Sequence, residues 1–157
     1  MNRAIGELLR PFLSPEQIRA SFEIMGVDTE LISDGTHFVV EGNGNLAACG
    51  GWSRRATHFG GDHWAERDGR ALDPEMEPAR VRAMYTHPDF ARLGIGRAIL
   101  EHCEAEAAAG GFCHVELVAT LAGEPLYRAC RYKEIERFEA RAANGVAVPL
   151  VRMRKRL

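Results

Sequence analysis

The apolar positions at the start of the chain recur with helical spacing. Ala4, Ile5, Leu8, Leu9 and Phe12 fall three or four residues apart, which predicts a short helix over residues 2–9, ended by Pro11. A better-marked helix follows in SPEQIRASFEIMG. Ser14 is a good N-cap, Pro15 takes the first helical position, and Gln17 completes a capping box. Ile18, Phe22 and Met25 form its apolar face, and Gly26 stops it. The period then changes. Two apolar runs, 36–41 and 46–53, flank the turn GNGN at residues 42–45 and predict a hairpin.

Residues 56–79 show no period and are rich in Gly, Asp, Glu and Pro, so they read as a long loop of the kind that often serves as a lid or binding loop. Strict alternation returns in ARVRAMYT, residues 79–86. Val81, Ala83 and Tyr85 fall on one face, and Arg80, Arg82 and Met84 on the other, until HPDF breaks the run. A helix over 95–109 ends at Gly110-Gly111. A strand over 112–120, a short helix over 123–130 and two strands, 132–140 and 146–155, joined by an Asn144-Gly145 turn, complete the chain. Helices first, then strands interleaved with helices, predict an α/β fold with a mixed sheet.

Composition narrows this further. A chain of 157 residues fits a single domain, spanning 1–157, and buries roughly 68–70% of its unfolded surface, so it needs no disulfide or metal to fold. A net charge of −2 gives no reason to expect nucleic acid or a membrane surface as partner. The basic tail Arg152, Arg154, Lys155 and Arg156 lacks interleaved aromatics and reads as a solvated strand end. Cys49, Cys103, Cys113 and Cys130 lie far apart and read as buried free thiols, and no ligand pairing suggests a metal. The N-terminus has no signal-peptide pattern, and no apolar run approaches the ~20 residues a span needs, so a cytoplasmic protein is expected.

The chemistry-bearing stretch is ARLGIGRAIL, residues 91–100. Gly94 and Gly96 stand at the start of a helix, where glycine is about 0.8–1.0 kcal/mol worse than alanine in an interior. A helix N-terminus offers unpaired N–H groups, and glycines clear side chains from them, so a diphosphate can reach the backbone. Each hydrogen bond to a charged acceptor contributes roughly 1.5–3 kcal/mol, against ~0.3–1 for the helix dipole. Backbone shape is therefore what these residues protect, with Arg92 and Arg97 adding charge at the rim. A dinucleotide fingerprint needs Gly or Ala where Ile99 stands, and a P-loop needs Gly-Lys-Ser/Thr; neither is present. Taken alone, the two glycines equally suit a tight strand-to-helix turn.

In its context the motif resembles the GCN5-related N-acetyltransferase (GNAT) superfamily. The resemblance runs through a strand, His87-Pro88, the Gly-x-Gly loop, a helix, a strand and then a helix carrying Leu126-Tyr127, about a third of the chain. It implies a mixed, mostly antiparallel twisted sheet with flanking helices, in which the parallel central strands 80–86 and 112–120 splay apart. It implies acetyl-CoA as acyl donor, its pyrophosphate on the backbone of Arg92, Leu93, Gly94, Ile95, Gly96 and Arg97. Met84, Tyr85 and Thr86 would hold the acetyl-pantetheine arm, with Thr120 where the family often has Asn, and Tyr127 would be the general acid. Ala91 stands where the loop often begins with Arg or Gln, and Arg131 where a Gly is usual. The family's opening strand has no clear counterpart here, which leaves a sheet edge for another segment or another chain and keeps a homodimer open.

Acyl transfer to an amine needs a neutral nucleophile, a stabilised oxyanion and a protonated leaving thiolate. A phenol of pKa ~10 is a weaker acid than a thiol of ~8.5, so Tyr127 must act through a short hydrogen bond. A backbone N–H within residues 84–86 is the expected oxyanion donor. An amine of pKa ~10.4 costs about 4.6 kcal/mol to deprotonate at pH 7. Glu41, His37, His87 and Glu116 are the side chains weighed as base, Glu116 being aimed away from the cleft by its alternation and His87 shaping the turn before Pro88. None is singled out, and a water relay is expected. His102 is read as structural. The loop 56–79, carrying His58, Asp62, His63, Trp64, Asp68 and Asp73, is expected to be an acceptor lid whose carboxylates draw in a cationic amine; Trp52, Arg54 and Arg55 are expected to line the acceptor cleft. The acceptor is expected to be a small-molecule or peptide amine, and the rival to catalysis is a regulatory module that binds acyl-CoA without turnover.

Overall fold

The computed structural model describes residues 1–42 and 44–157; the predicted turn at 42–45 includes Asn43, which lies outside the described residues. Helices α1 (Asn2–Leu8), α2 (Pro15–Ile24) and α3 (Thr29–Ser33) precede the hairpin β1 (His37–Gly42) and β2 (Asn45–Ser53). Then come β3 (Ala79–Thr86), a 3-10 turn (Pro88–Phe90), α4 (Ile95–Ala109), β4 (His114–Thr120), α5 (Glu124–Ala129), β5 (Lys133–Arg141) and β6 (Ala147–Arg156). The six strands form one sheet in the order β1-β2-β3-β4-β6-β5, antiparallel except for the central pair β3 and β4.

Local chemistry accounts for most boundaries. The Ser14 hydroxyl accepts from the Gln17 N–H while the Gln17 side chain accepts from the Ser14 N–H, the capping box in full. Helix α4 buries Ile99, Leu100, Cys103 and Ala107 on one stripe and closes at Gly111, whose φ of +90° only glycine adopts cheaply. α3 has no sequence-level counterpart: it is five residues long, too short to show a period, and is held by Asp28 capping the Leu31 N–H.

The helices divide over the two faces of the sheet. α4 and α5 pack against Val81, Val115, Leu117 and Met153. On the opposite face α1 and α2 pack Ile5, Leu9, Ala20 and Ile24 against Val148 and Leu150. α1 is helical, as its spacing predicts, and β1 is an edge strand paired only with β2.

Two departures from regularity shape the centre. First, the alternation expected along β3 breaks at Ala83, which takes φ +54°. Between the pairs Cys49↔Tyr85 and Gly51↔Arg82, β3 spends one residue more than β2. Met84 therefore joins Val81 on the α4 face, while Tyr85 lies on the α1/α2 face with Val118, against the assignment that alternation gives. Gly50 makes room for this bulge, since a Cβ there would collide with Met84 Sδ. Second, β3 and β4 pair only at Ala79↔Val115, Arg80↔Glu116 and Val81↔Leu117. Beyond them β3 follows β2 to Thr86 and β4 follows β6 to Thr120, so the sheet parts as a wedge.

The segment 56–79 is stitched down rather than loose. Ala56 and Thr57 donate to the Arg70 and Asp68 carbonyls, and Gly61 and Asp62 donate to Ile24 and Val27. Three of the cysteines differ in setting from the fourth: Cys103 and Cys130 are buried and Cys49 half-buried, but Cys113, at the mouth of β4, is exposed, contrary to the expectation of burial.

Candidate functional site

A groove of about 710 Å³ opens where β3 and β4 part. Its walls are the end of β3 (Met84, Tyr85, Thr86), the start of α4 (Arg92, Gly94, Ile95, Gly96, Arg97), and Thr120, Gly123 and Tyr127 from the β4–α5 side. α1 lies across it, presenting Ile5, Leu8 and Leu9, and is tied down by Arg3 to Asp89 of the 3-10 turn at 3.1 Å. Every residue expected at an acyl-donor site therefore lines one space except Leu93, whose side chain is exposed.

The start of α4 is bare in the way its glycines predict. Gly94 is the N-cap, at φ +83°, and supplies no capping side chain. The first amide of the helix to reach a carbonyl is that of Ala98, on Gly94 O at 3.1 Å. A Cβ at Gly94 would meet open space, and one at Gly96 would stand 3.3 Å from Leu126 Cδ2 and 3.5 Å from Thr86 Oγ1. The helix backbone thus comes up against the opposite wall of the groove with no side chain between. Arg92 adopts φ +66°, a left-handed conformation that folds the loop around this space.

Tyr127 stands at the inner end. α5 begins with Glu124 and Pro125, and its capping turn is closed by the Thr120 hydroxyl, which accepts from the Gly123 N–H at 3.2 Å. Tyr127 is 7% exposed and packs edge-on to Tyr132 at 5.9 Å. Burial pushes its phenol well above the ordinary range, so it carries its proton at neutral pH. A Cβ on Gly123 would lie 3.0 Å from Tyr127 Cε2, so this glycine gives the ring its place.

Behind Tyr127 lies a second cavity of about 120 Å³, which shares Met25, Met84, Tyr85, Thr120, Gly123 and Tyr127 with the groove. Its far walls are Gly26 after α2, His58, Phe59 and Gly60 from the long loop, and Arg82. Arg82 is buried and donates to Glu30 at 2.8 Å, with Asp28 at 3.4 Å; Arg67 joins Asp28 at 3.0 Å and Glu30 at 3.2 Å. Next to the cavity Glu116 is 2% exposed. It accepts from Arg154 at 2.7 and 3.0 Å and has Arg80, Arg152 and His58 Nδ1 at 3.7, 3.8 and 3.3 Å. Burial alone would raise its carboxyl, but the His58 and Arg154 contacts and the Arg80 charge outweigh it and hold it at about 2.

Several expected acceptor residues lie elsewhere. Trp52 does not line a cleft: it is 3% exposed, in the core beneath α4, edge-on to Phe112 at 6.1 Å. The pairing of β2 with β3 puts it opposite Val81, on the α4 face. Arg54 lies over the Trp52 ring at 5.5 Å and Arg55 is bound to Asp34 at 2.7 Å, so neither reaches the cavity. The loop's carboxylates are spent on backbone amides, Asp62 accepting from the Thr29 N–H of α3, and Asp68 and Asp73 from the Arg70 and Glu75 N–H groups within the loop. Trp64 packs on Phe59 at 5.7 Å. Of the loop's candidates, His58 alone lines the cavity. Glu116 itself lines neither the groove nor the cavity, although alternation puts it on the face of β4 shared with Val118 and Thr120, which do; its carboxylate meets His58.

The family model for the acetyltransferase (GNAT) domain matches residues 33–134. A search of curated proteins by sequence returns no match. Among solved structures, a GCN5-related N-acetyltransferase from Rhodopseudomonas palustris aligns at 16% identity, covering 99% of this chain and 84% of its own, with a TM-score of 0.71. A ribosomal-protein-alanine N-acetyltransferase from Brucella melitensis aligns at 17% identity over 99% and 89%, with a TM-score of 0.63. The PaiA N-acetyltransferase from Thermoplasma acidophilum, in complex with coenzyme A, aligns at 12% identity over 99% and 87%, with a TM-score of 0.60. At these identities the solved structures speak to the fold.

Proposed function

The chain belongs to the acetyltransferase (GNAT) family, and from that premise we propose that it moves acetyl from acetyl-CoA to a primary amine by direct attack, with Tyr127 as general acid. The observation that carries this is the uncapped start of α4 facing the wedge between β3 and β4, with one buried tyrosine at the wedge's inner end. The amides of residues 92–97 suit a diphosphate, each bond contributing roughly 1.5–3 kcal/mol. The parted edge of β3, where residues 84–86 leave β4, suits the peptide-like arm of pantetheine and supplies backbone donors for the developing oxyanion. Thr120, with its hydroxyl oxygen already accepting from Gly123, has its O–H left to donate. A related fold, that of the Thermoplasma acidophilum protein, holds coenzyme A.

Acetyl-CoA supplies an activated thioester carbonyl. The chain's part is to hold it, keep bulk water off the reacting carbon and protonate the sulfur. Tyr127 is buried and protonated, so its O–H is available at neutral pH. Being a weaker acid than a thiol of pKa ~8.5, it acts by a hydrogen bond that tightens as the carbon–sulfur bond breaks. The second cavity, which shares the Tyr127 wall with the groove, suits the acceptor amine, a small molecule or a peptide end. The free thiols, one of them exposed, suit the reducing cytoplasm.

Tyr127→Phe tests the assignment. Free CoA release should fall about 100-fold or more while the Kd for acetyl-CoA stays within about twofold. Unchanged turnover would remove Tyr127 from the chemistry. A wild-type protein that binds acetyl-CoA but releases CoA with no amine in a broad panel would instead be a regulatory acyl-CoA-binding module.

A further inference from the structure

We infer that His58 is the general base of the acceptor site, oriented by the buried carboxylate of Glu116; the inference rests on the acetyl-transfer reading above. It follows from what the second cavity offers. Its titratable lining, among the described residues, is His58, Arg82, Tyr85 and Tyr127. The Arg82 guanidinium is a donor with no acceptor site for a proton. Burial pushes both phenols well above their usual range, so they hold their protons. No carboxylate lines the cavity, and the acids of the neighbouring loop are turned to backbone caps and arginines. An imidazole, whose ordinary titration lies nearest neutrality, is the one group left that accepts a proton there.

The second observation is Glu116. Its Oε1 is 3.3 Å from His58 Nδ1, an ion-pair distance at which the ring N–H is not aligned as a hydrogen bond. Arg154, Arg80 and Arg152 keep Glu116 ionised, so it can hold a proton on Nδ1 but not take it. That leaves Nε2 with a lone pair. The side chain of His58 is 36% exposed, so a proton received from the cavity has a way out to solvent.

The step balances as follows. The ammonium form of the acceptor gives its first proton to solvent. As the neutral nitrogen bonds to the thioester carbon, His58 Nε2 takes a second proton from that nitrogen. The carbon–sulfur bond breaks, and the sulfur takes the phenolic proton of Tyr127. The proton on His58 then returns through solvent to the Tyr127 oxygen, restoring both groups. Glu116 never changes protonation and is a positioning residue; His58 is the catalytic one.

Two measurements decide this. The first needs no turnover. With coenzyme A added, the ¹⁵N shifts of the His58 ring in the wild-type protein, assigned by comparison with His58→Gln, should report the Nδ1–H tautomer when the ring is neutral. The Nε2–H tautomer, which imidazole prefers in water, overturns the inference. The second is kinetic, using an alanine-led pentapeptide and a short alkylamine as acceptors. His58→Ala should lower kcat/KM by about 100-fold near neutral pH, with acetyl-CoA affinity unchanged. The loss should shrink at acid pH, where an imidazole carries its proton and can no longer serve as base, and added imidazole should recover part of it. Around His58 stand Glu116 at 3.3 Å, the arginines Arg80, Arg152 and Arg154 on that carboxylate, and Arg82, Tyr85 and Tyr127 across the shared cavity; guanidinium groups stay charged in proteins, and burial moves both phenols further from neutrality. A pH profile unmoved in His58→Ala, or a loss under threefold, overturns the inference. Failure of the wild type to acetylate either amine counts against the reaction itself, and the tautomer then still decides the dyad.

Discussion

Glu116 shows how far a residue's chemistry depends on neighbours that its own sequence position conceals. In the chain it is one acid in an alternating strand. In the fold it is the buried partner of Arg80, Arg152, Arg154 and His58, contributed by two other strands and a loop. Its depressed carboxyl has a thermodynamic consequence. A group with a lower pKa in the folded state adds stability above its unfolded pKa and loses it as pH falls through the folded value. Glu116 therefore stabilises the protein fully above about pH 4.5, and this contribution drains away between there and about pH 2. Urea midpoints measured across that window should fall steeply in the wild type and less steeply in Glu116→Gln, which starts lower at pH 7 because it leaves the arginines without their counter-charge. Equal acid slopes in the two proteins would show that the carboxylate is not held as described. Tyr127 was legible because a tyrosine beside Leu126 after a strand carried a resemblance. Trp52 was not, because a tryptophan at a strand end looks the same from the sequence whether it faces the core or a cleft.

At the level of elements, the sequence showed helices and strands nearly to the residue wherever a period had room to repeat. It failed where one residue changes the period. Alternation through residues 79–86 predicts a smooth strand; the left-handed Ala83 inverts the faces of Met84 and Tyr85 and so creates the groove wall. Nothing in the residue types around Ala83 demands that bulge. Gly50, directly across, is the trace it leaves in sequence. The end of α5 is similar. Tyr132 N–H reaches Tyr127 O at 3.0 Å and Arg131 N–H reaches Arg128 O at 3.0 Å, a closure that places its pivot residue in the left-handed region. That pivot is Arg131, at φ +71°, where a glycine would be unstrained. Because a side chain there costs about 1–2 kcal/mol, partly offset by the flexibility glycine adds to the unfolded chain, Arg131→Gly should stabilise by about 1 kcal/mol. That corresponds to a Tm roughly 2–4 °C higher in calorimetry. A lower Tm would mean that the arginine side chain contributes more than its backbone strain removes.

At the scale of the whole molecule, the architecture amounts to a sheet that pairs fully at its flanks and fails to pair at its centre. β3 belongs to the β1/β2 side and β4 to the β6/β5 side, joined across three residue pairs. The mixed sheet was legible in the order of elements, but its parting only through resemblance, since no local pattern says where two distant strands stop touching. The glycines of α4 were legible on physical grounds, because a bare helix start is written in residue type. Together the two features make a slot with donors at its rim and a phenol at its floor. The most direct test of that account is isothermal titration of acetyl-CoA into the wild-type protein and into Gly96→Val, whose side chain would stand between α4 and the Thr86 wall. The account predicts one-to-one binding by the wild type and affinity at least tenfold weaker in the variant, the equivalent of about 1.4 kcal/mol. Absence of binding by the wild type, or equal affinity in both proteins, would contradict it.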